Sequence, residues 1–177
     1  MDIFEINEVL STFRILIDSR EQRTARSKDR YEAFGVPYER ATLRYGDYCG
    51  LITLPSGPIY DTSRTVSARC VVERKMSLDE LASCFTHGRE RFEREFKRAA
   101  SEEAKVFLLI EDGSWEAIIN HRYRSKYNPN AFLASLTAWS IRYELTPIFC
   151  RSGTSGRIIK ELLYRDLKER LQRGEYG

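Results

Sequence analysis

Val71-Val72-Glu73-Arg74-Lys75-Met76-Ser77-Leu78-Asp79 joins an apolar run to three consecutive charges and then to a helix start. Successive strand side chains alternate faces, so Glu73 and Lys75 lie side by side and Arg74 points the other way. A carboxylate beside an ammonium at the end of a buried strand is costly to hold unless something binds there, and a divalent cation with an anionic phosphate would suit both. Ser77-Leu78-Asp79-Glu80 fits a capping box, so the strand passes into a helix whose first turn carries Asp79 toward the same strand end. Upstream, Gly46-Asp47-Tyr48 opens another strand, read as Tyr45 to Leu54, and brings the second carboxylate that a hard cation takes alongside water. Spacing alone leaves a surface ion-pair cluster of Glu73, Lys75 and Asp79 open, and for an isolated Glu-x-Lys that is the commoner case.

The chain around this stretch has 177 residues, a net charge of +3 and 31 % charged residues. That length supports one well-packed core, no linker-like composition shift divides it, and the mild basic excess permits nucleic-acid binding without arguing for it. Cys49, Cys70, Cys84 and Cys150 stand far apart with only His87 and His121 to accompany them, which disfavours zinc. Buried reduced thiols, an acidic start and no apolar run of membrane-spanning length imply a soluble, cytoplasmic protein with no membrane partner.

In chain order, Met1 to Ser11 reads as a short helix or an ordered arm. Phe13 to Asp18 is a buried strand delivering Asp18 at its carboxyl end. From Arg20 to Phe34 the reading is a solvated helix for Arg26, Lys28 and Arg30, while Arg20 and Glu21 sit close enough to Asp18 to join a site. Strands follow over Val36 to Tyr45, Asp47 to Leu54 and within Arg64 to Lys75, the spacer between the last two forming an elongated hairpin. The helix from Ser77 continues or breaks near Thr86-His87-Gly88 and then runs through Arg98, with Phe85, Phe92 and Phe96 as its buried stripe and Glu90–Arg94 and Glu93–Lys97 pairing on a solvated face. Arg89, at a helix start where the dipole offers it nothing, could reach a phosphate. Lys105 to Glu111 is a central strand closing on Glu111-Asp112-Gly113, where a plain turn is preferred to a pair of site carboxylates. A short helix over Trp115 to Asn120 leads to His121-Arg122-Tyr123-Arg124-Ser125-Lys126-Tyr127. That mixture of cations and rings is either a DNA-contact loop or a solvated one. Asn128-Pro129 starts a helix whose Phe132, Leu136, Trp139 and Tyr143 share a face, a stripe read as core packing. Thr146 to Cys150 is the last strand, and the turn Arg151 to Gly156 lacks the Gly-Lys-Ser/Thr of a P-loop, which excludes an ATPase.

Gly-Asp-Tyr followed by Glu-Arg-Lys-x-x-x-Asp resembles the signature of the XPF family of DNA structure-specific endonucleases. Ile15 to Glu21 resembles that family's first strand with its Asp-x-Arg-Glu ending, and Gly88-Arg89 the opening of a later helix. Val106 to Glu111, Asn130 to Leu133 and Pro147 to Phe149 are similar to its remaining strands and last helix, so the likeness runs from about Phe13 to Leu171. It implies an α/β fold, a restriction-endonuclease-like mixed sheet covered by helices on both faces, with a nuclease domain over 13–177 after an arm at 1–12. It also implies Mg2+- or Mn2+-dependent hydrolysis of DNA phosphodiester bonds, at branched or flap-like DNA. Asp47 and Glu73 would be the principal metal ligands with Asp18 close by, and Lys75 would orient or activate water. Asp79 would hold Lys75 or an outer-sphere water, and Arg74 and Arg89 would position phosphate or brace the site. Arg20, Arg89, Arg122, Arg124 and Lys126 are the expected DNA contacts, and pairing as a homodimer or with a heteromeric partner is expected through the Phe132–Tyr143 helix. The helix-hairpin-helix and helicase modules common in the family have no counterpart in this sequence. Two other readings stay in view, a non-catalytic DNA-binding partner subunit, against which the intact acids argue, and a structural interaction domain.

Overall fold

The computed structural model describes residues 1–55 and 63–175, with side chains in the second segment from residue 69. Its elements are α1 (Ile3–Ser11), β1 (Arg14–Asp18), α2 (Ala25–Glu32), β2 (Tyr38–Ala41), β3 (Tyr48–Pro55), β4 (Ser63–Lys75), α3 (Leu78–Phe85), α4 (Arg89–Ser101), β5 (Lys105–Glu111), α5 (Trp115–Ile119), α6 (Pro129–Arg142), β6 (Thr146–Cys150) and α7 (Ser155–Arg173). The strands form one mixed sheet in the order β2-β1-β3-β4-β5-β6. β3 runs antiparallel to both β1 and β4, whereas β1–β2, β4–β5 and β5–β6 are parallel. The expected hairpin is thus the β3–β4 pair, and its tip at 56–62 lies outside the described residues.

Local chemistry explains the element ends. Asp2 and Glu5 form a capping box for α1, Ser77 caps α3 through the Glu80 amide, and Asn128 caps α6 with Pro129 in its first turn. Glu80 does not close the box on Ser77; its carboxylate takes the Met76 amide at 2.7 Å. The strand expected over Val36 to Tyr45 shrinks to Tyr38–Ala41, because the chain turns off the sheet to give the Leu43 amide to the Asp18 carboxylate at 2.9 Å.

Helices cover both faces. Lys75 of β4 lies over the Phe92 ring of α4, while its neighbour Arg74 reaches the opposite side, where Arg30 of α2 and Ser155 of α7 converge on Glu111. On the α4 side, Phe85, Phe92, Phe96, Phe132 and Trp139 form an edge-to-face aromatic cluster with every ring buried. Burying each is worth about 1.5–3 kcal/mol. The Phe132–Tyr143 stripe is therefore interior, as a core-packing stripe is, and those rings are not available for pairing. α1 also belongs to the core, through Ile6, Val9 and Leu10. No helix among the described residues is long and apolar enough to cross a membrane.

Two glycines set the spacing of these layers. A Cβ on Gly156, at the start of α7, would stand 2.3 Å from the Arg30 carbonyl oxygen, so α2 and α7 meet at backbone distance. Gly46, at φ +72°, leaves 2.7 Å between a hypothetical Cβ and the Val71 Cβ, and so seats Asp47 tightly against β4. Gly156→Ala is expected to force the two helices apart at a cost of about 1–3 kcal/mol, as overpacking does. A thermal melt coinciding with that of the unmodified chain would contradict the close approach.

Candidate active site

Three strand ends converge on one cleft. Asp18 closes β1, Asp47 precedes β3, and Glu73 and Lys75 end β4. Backbone bonds stitch these ends together, from the Asp18 amide to the Asp47 carbonyl at 2.8 Å and from the Asp47 amide to the Val72 carbonyl at 2.9 Å. The cleft encloses about 950 Å³, and its lining includes Asp18, Arg20, Asp47, Glu73, Lys75 and Glu95.

Lys75 Nζ donates to Glu73 Oε1 at 2.6 Å, with both side chains nearly buried, and sits 4.8 Å from the centre of the Phe92 ring. Burial alone would lower the Lys75 ammonium, but the charges of Glu73 and Asp47 outweigh it and hold the group above its ordinary value. Asp47 Oδ2 accepts the Arg74 amide at 2.7 Å. Burial and the neighbouring Glu73 carboxylate push the Asp47 carboxyl well above the usual range. Glu95 of α4 is raised in the same sense, by burial and then by Glu73. The site thus concentrates negative charge away from water around one ammonium.

A consequence can be measured on the metal-free protein. A carboxyl whose folded pKa lies above its unfolded value binds protons more tightly when folded, so stability falls as pH rises from the unfolded pKa through the folded one. Asp47→Asn keeps an oxygen for the Arg74 amide and removes the charge. It is expected to raise metal-free stability by about 0.5–2 kcal/mol near pH 8, with a smaller gain near pH 5. Melting curves at the two pH values check this, and a destabilised Asp47→Asn protein would contradict the crowding of charge.

Beside these acids lies a second polar layer, whose Glu21, Arg30 and Arg74 also line the cleft. Arg74 grips Glu111 with two bonds, Nε to Oε1 at 3.0 Å and Nη2 to Oε2 at 2.9 Å. Arg30 adds a bond to Glu111 at 3.2 Å, Arg30 and Arg74 each reach Glu21 Oε1 at 3.4 Å, and the Tyr48 hydroxyl donates to the same oxygen at 2.9 Å. Two expectations are corrected here. Arg30 is buried rather than solvated, and Glu111 is 0 % exposed and charge-paired rather than a turn residue. Arg74 is a brace: its guanidinium is committed to Glu111 and Glu21, while its amide orients Asp47.

The other expected site residues are placed as follows. Asp18 lines the cleft, but its carboxylate is occupied by Arg20, through the Arg20 amide at 2.7 Å and the guanidinium at 2.7 and 3.1 Å, and by the Leu43 amide. Those partners outweigh burial and hold it below its ordinary pKa. Asp79 turns away from Lys75. Its carboxylate accepts the amides of Arg124 and Ser125 at 2.8 and 2.7 Å and the Arg124 guanidinium at 3.2 Å, so it anchors the 121–127 loop. Within that loop, Tyr123 and Tyr127 pack against Phe132, edge-on and tilted, while Arg122, Arg124 and Lys126 are exposed. Arg89 folds over Trp139, 5.2 Å from its ring centre, and donates to Phe85 and Ser135, so it packs α4 against α6 instead of facing the cleft. Arg91, two residues on, lines the cleft. Glu95 and Arg91 escaped the sequence reading. The available signal was helical spacing, since Glu95 follows Phe92 by three residues and Phe96 is buried beside it.

Among solved structures, XPF from Aeropyrum pernix superposes with a TM-score of 0.59 at 22 % identity, over 85 % of this chain and 64 % of that one. XPF from Aeropyrum pernix in complex with DNA gives 0.56 at 23 % identity, over 91 % of this chain and 66 % of that one. This chain therefore spans just under two thirds of the length of those structures, and the likeness shows a shared mixed α/β fold. No curated protein matches the sequence. The family model of the ERCC4 domain matches residues 17–162, which take in all three strand ends of the cleft, and the chain belongs to the ERCC4 domain family.

Proposed function

We propose that the chain is a divalent-metal-dependent nuclease that hydrolyses phosphodiester bonds in DNA at branched or flap-like junctions. The observation that carries this reading is the buried Glu73–Lys75 pair with Asp47 beside it, at joined strand ends in an open cleft. The related fold of an XPF in complex with DNA supports the choice of substrate.

The donor set fits a hard cation. Asp47 Oδ2 and Glu73 Oε1 are spoken for, and the second oxygen of each carboxylate carries no hydrogen bond among the described residues. No group of three acidic, histidine or cysteine side chains among the described residues is arranged for a metal, so two carboxylates with water would hold it, a pattern that suits Mg2+ or Mn2+. Asp18, tied to Arg20, braces the strand end next to them. When bound, the cation supplies neutralisation of the carboxylates and Lewis-acid stabilisation of the phosphate. Lys75, fixed by Glu73, presents an ammonium to the charge that builds on the scissile phosphate and to the attacking water. Arg20 and Arg91, at the rim, hold the flanking phosphates, and Arg122, Arg124 and Lys126 extend that contact along the strand.

The test is an activity assay on duplex, flap, fork and single-stranded DNA with Mg2+, Mn2+ or EDTA. Metal-dependent cutting, fastest at junctions, is the expected result. Binding of the same DNAs with no cutting in either metal would identify a DNA-binding partner subunit instead and overturn the nuclease reading.

A further inference from the structure

A second cavity, of about 610 Å³, lies between α2 and the edge strand β2. Thr24 and Ala25 line both it and the catalytic cleft, so the first turn of α2 is the wall between them. The far wall is coupled to the cleft as well. Arg40, which lines the cavity, donates to the carbonyls of Asp18, Ser19 and Glu21 at 3.3, 2.8 and 2.6 Å, and so ties β2 to the strand end that carries Asp18.

The lining chemistry narrows the occupant. Arg23, Lys28 and Arg40 bring three cations against a single acid, Glu39, and that acid already pairs with Arg14 at 3.3 Å. Two aromatic rings, Tyr31 and Tyr38, line the same space with centres 5.4 Å apart and planes at 47°, and Phe34 packs against both. Tyr38 is 47 % exposed and Tyr31 7 %. A half-exposed ring and a cationic rim are what one nucleotide needs: a surface for the base and a counter-charge for its phosphate. The volume falls within the ~300–1,000 Å³ of small-molecule pockets.

We propose that this α2–β2 cavity receives an unpaired nucleotide of the DNA strand lying in the catalytic cleft, and so selects junctions with a free single strand over continuous duplex. The inference rests on the cleft being a DNA site, as proposed above, and deepens it by naming how branched DNA is recognised.

The test uses the full chain in EDTA, so that nothing is cut, with flap DNA carrying 2-aminopurine at the first unpaired positions. The unmodified chain is expected to quench the probe at one of these positions. Tyr38→Ala, at a half-exposed site, should abolish the quenching and weaken flap binding about tenfold, while leaving affinity for blunt duplex unchanged. Quenching that survives Tyr38→Ala overturns the proposal and frees the cavity for another occupant, such as a peptide laid along the open edge of β2. Equal losses on flap and duplex also overturn it, since they would mark general surface contact. The two readings fail separately: quenching without cutting in Mn2+ sinks the nuclease and keeps the pocket, whereas cutting with no response to Tyr38→Ala sinks the pocket and keeps the nuclease.

Discussion

Lys75→Ala will bind Mn2+ and flap DNA at least as well as the unmodified chain and will cut on the order of a hundredfold more slowly, because it loses an interaction made chiefly in the transition state. Both carboxylates remain, and the cation that competes with a metal for Glu73 Oε1 is gone. The cost appears in the metal-free protein, where Glu73 is left buried without its partner. Removing one member of a buried pair typically costs about 3–5 kcal/mol. Mn2+ should then restore much of that loss, so the stabilisation by metal is larger for Lys75→Ala than for the unmodified chain. Since Lys75 is held above its ordinary pKa, its contribution to stability is complete at neutral pH and fades only as pH rises through the ordinary lysine range and beyond. Single-turnover cleavage, calorimetry with Mn2+ and melting curves separate these effects. A Lys75→Ala protein that cuts at the unmodified rate would remove the ammonium from the chemistry.

Glu111→Ala will be the most destabilising single change in the polar layer beside the site. It leaves two guanidiniums, Arg30 and Arg74, buried with Glu21 as the remaining acid and the hydroxyls of Tyr48 and Ser155 beside Arg30. A loss of about 3 kcal/mol is expected, which for a chain of this size lowers Tm by roughly 6–12 °C. Burial alone would raise the Glu111 carboxyl, but hydrogen bonds from Arg74 and Ser155 and the charges of Arg74 and Arg30 hold it below the usual glutamate range. A carboxyl with a depressed folded pKa contributes stability that is present above its unfolded value and is lost as pH falls through the folded one. The difference in Tm between Glu111→Ala and the unmodified chain should therefore shrink on acidification below the ordinary glutamate pKa. A change under about 1 kcal/mol at neutral pH, as for an exposed pair, would show that the layer is not the brace inferred for Arg74. With Arg74 displaced, Asp47 loses the firm seat of its Oδ2 contact, so slower cleavage should accompany the lower melting point.

How much of this was legible in the sequence follows from the range of each interaction. Strand alternation requires only neighbouring residues, and it placed Glu73 and Lys75 on one face and Arg74 on the other. Caps are equally local, and Ser77 and Asn128 start helices where their chemistry requires. The antiparallel pairing of β3 with β4, with Gly46 held close against Val71, brings Asp47 beside Glu73, a step one removed from the sequence because it needs the pairing of two strands. Arg30 and Glu111 stand 81 positions apart, and nothing in a charge-rich helix or an Asp-Gly turn announces that they meet. Asp79 illustrates the opposite error, a residue at motif spacing whose carboxylate is claimed by backbone amides 45 and 46 positions downstream. Arg89 is similar: a helix-start arginine reads as a phosphate ligand until Trp139 supplies a ring to cover. Local periodicity thus gave the cleft's floor, and its brace and rim required the tertiary fold.

The most direct measurement is single-turnover cleavage of flap DNA in Mn2+ by the unmodified chain and by Glu73→Gln, with Mn2+ affinity measured on the same samples. If the Glu73–Asp47 cleft holds the metal that drives hydrolysis, the unmodified chain cuts and Glu73→Gln loses both the metal and the cutting while remaining folded. Cleavage that persists undiminished in a folded Glu73→Gln protein would contradict that assignment.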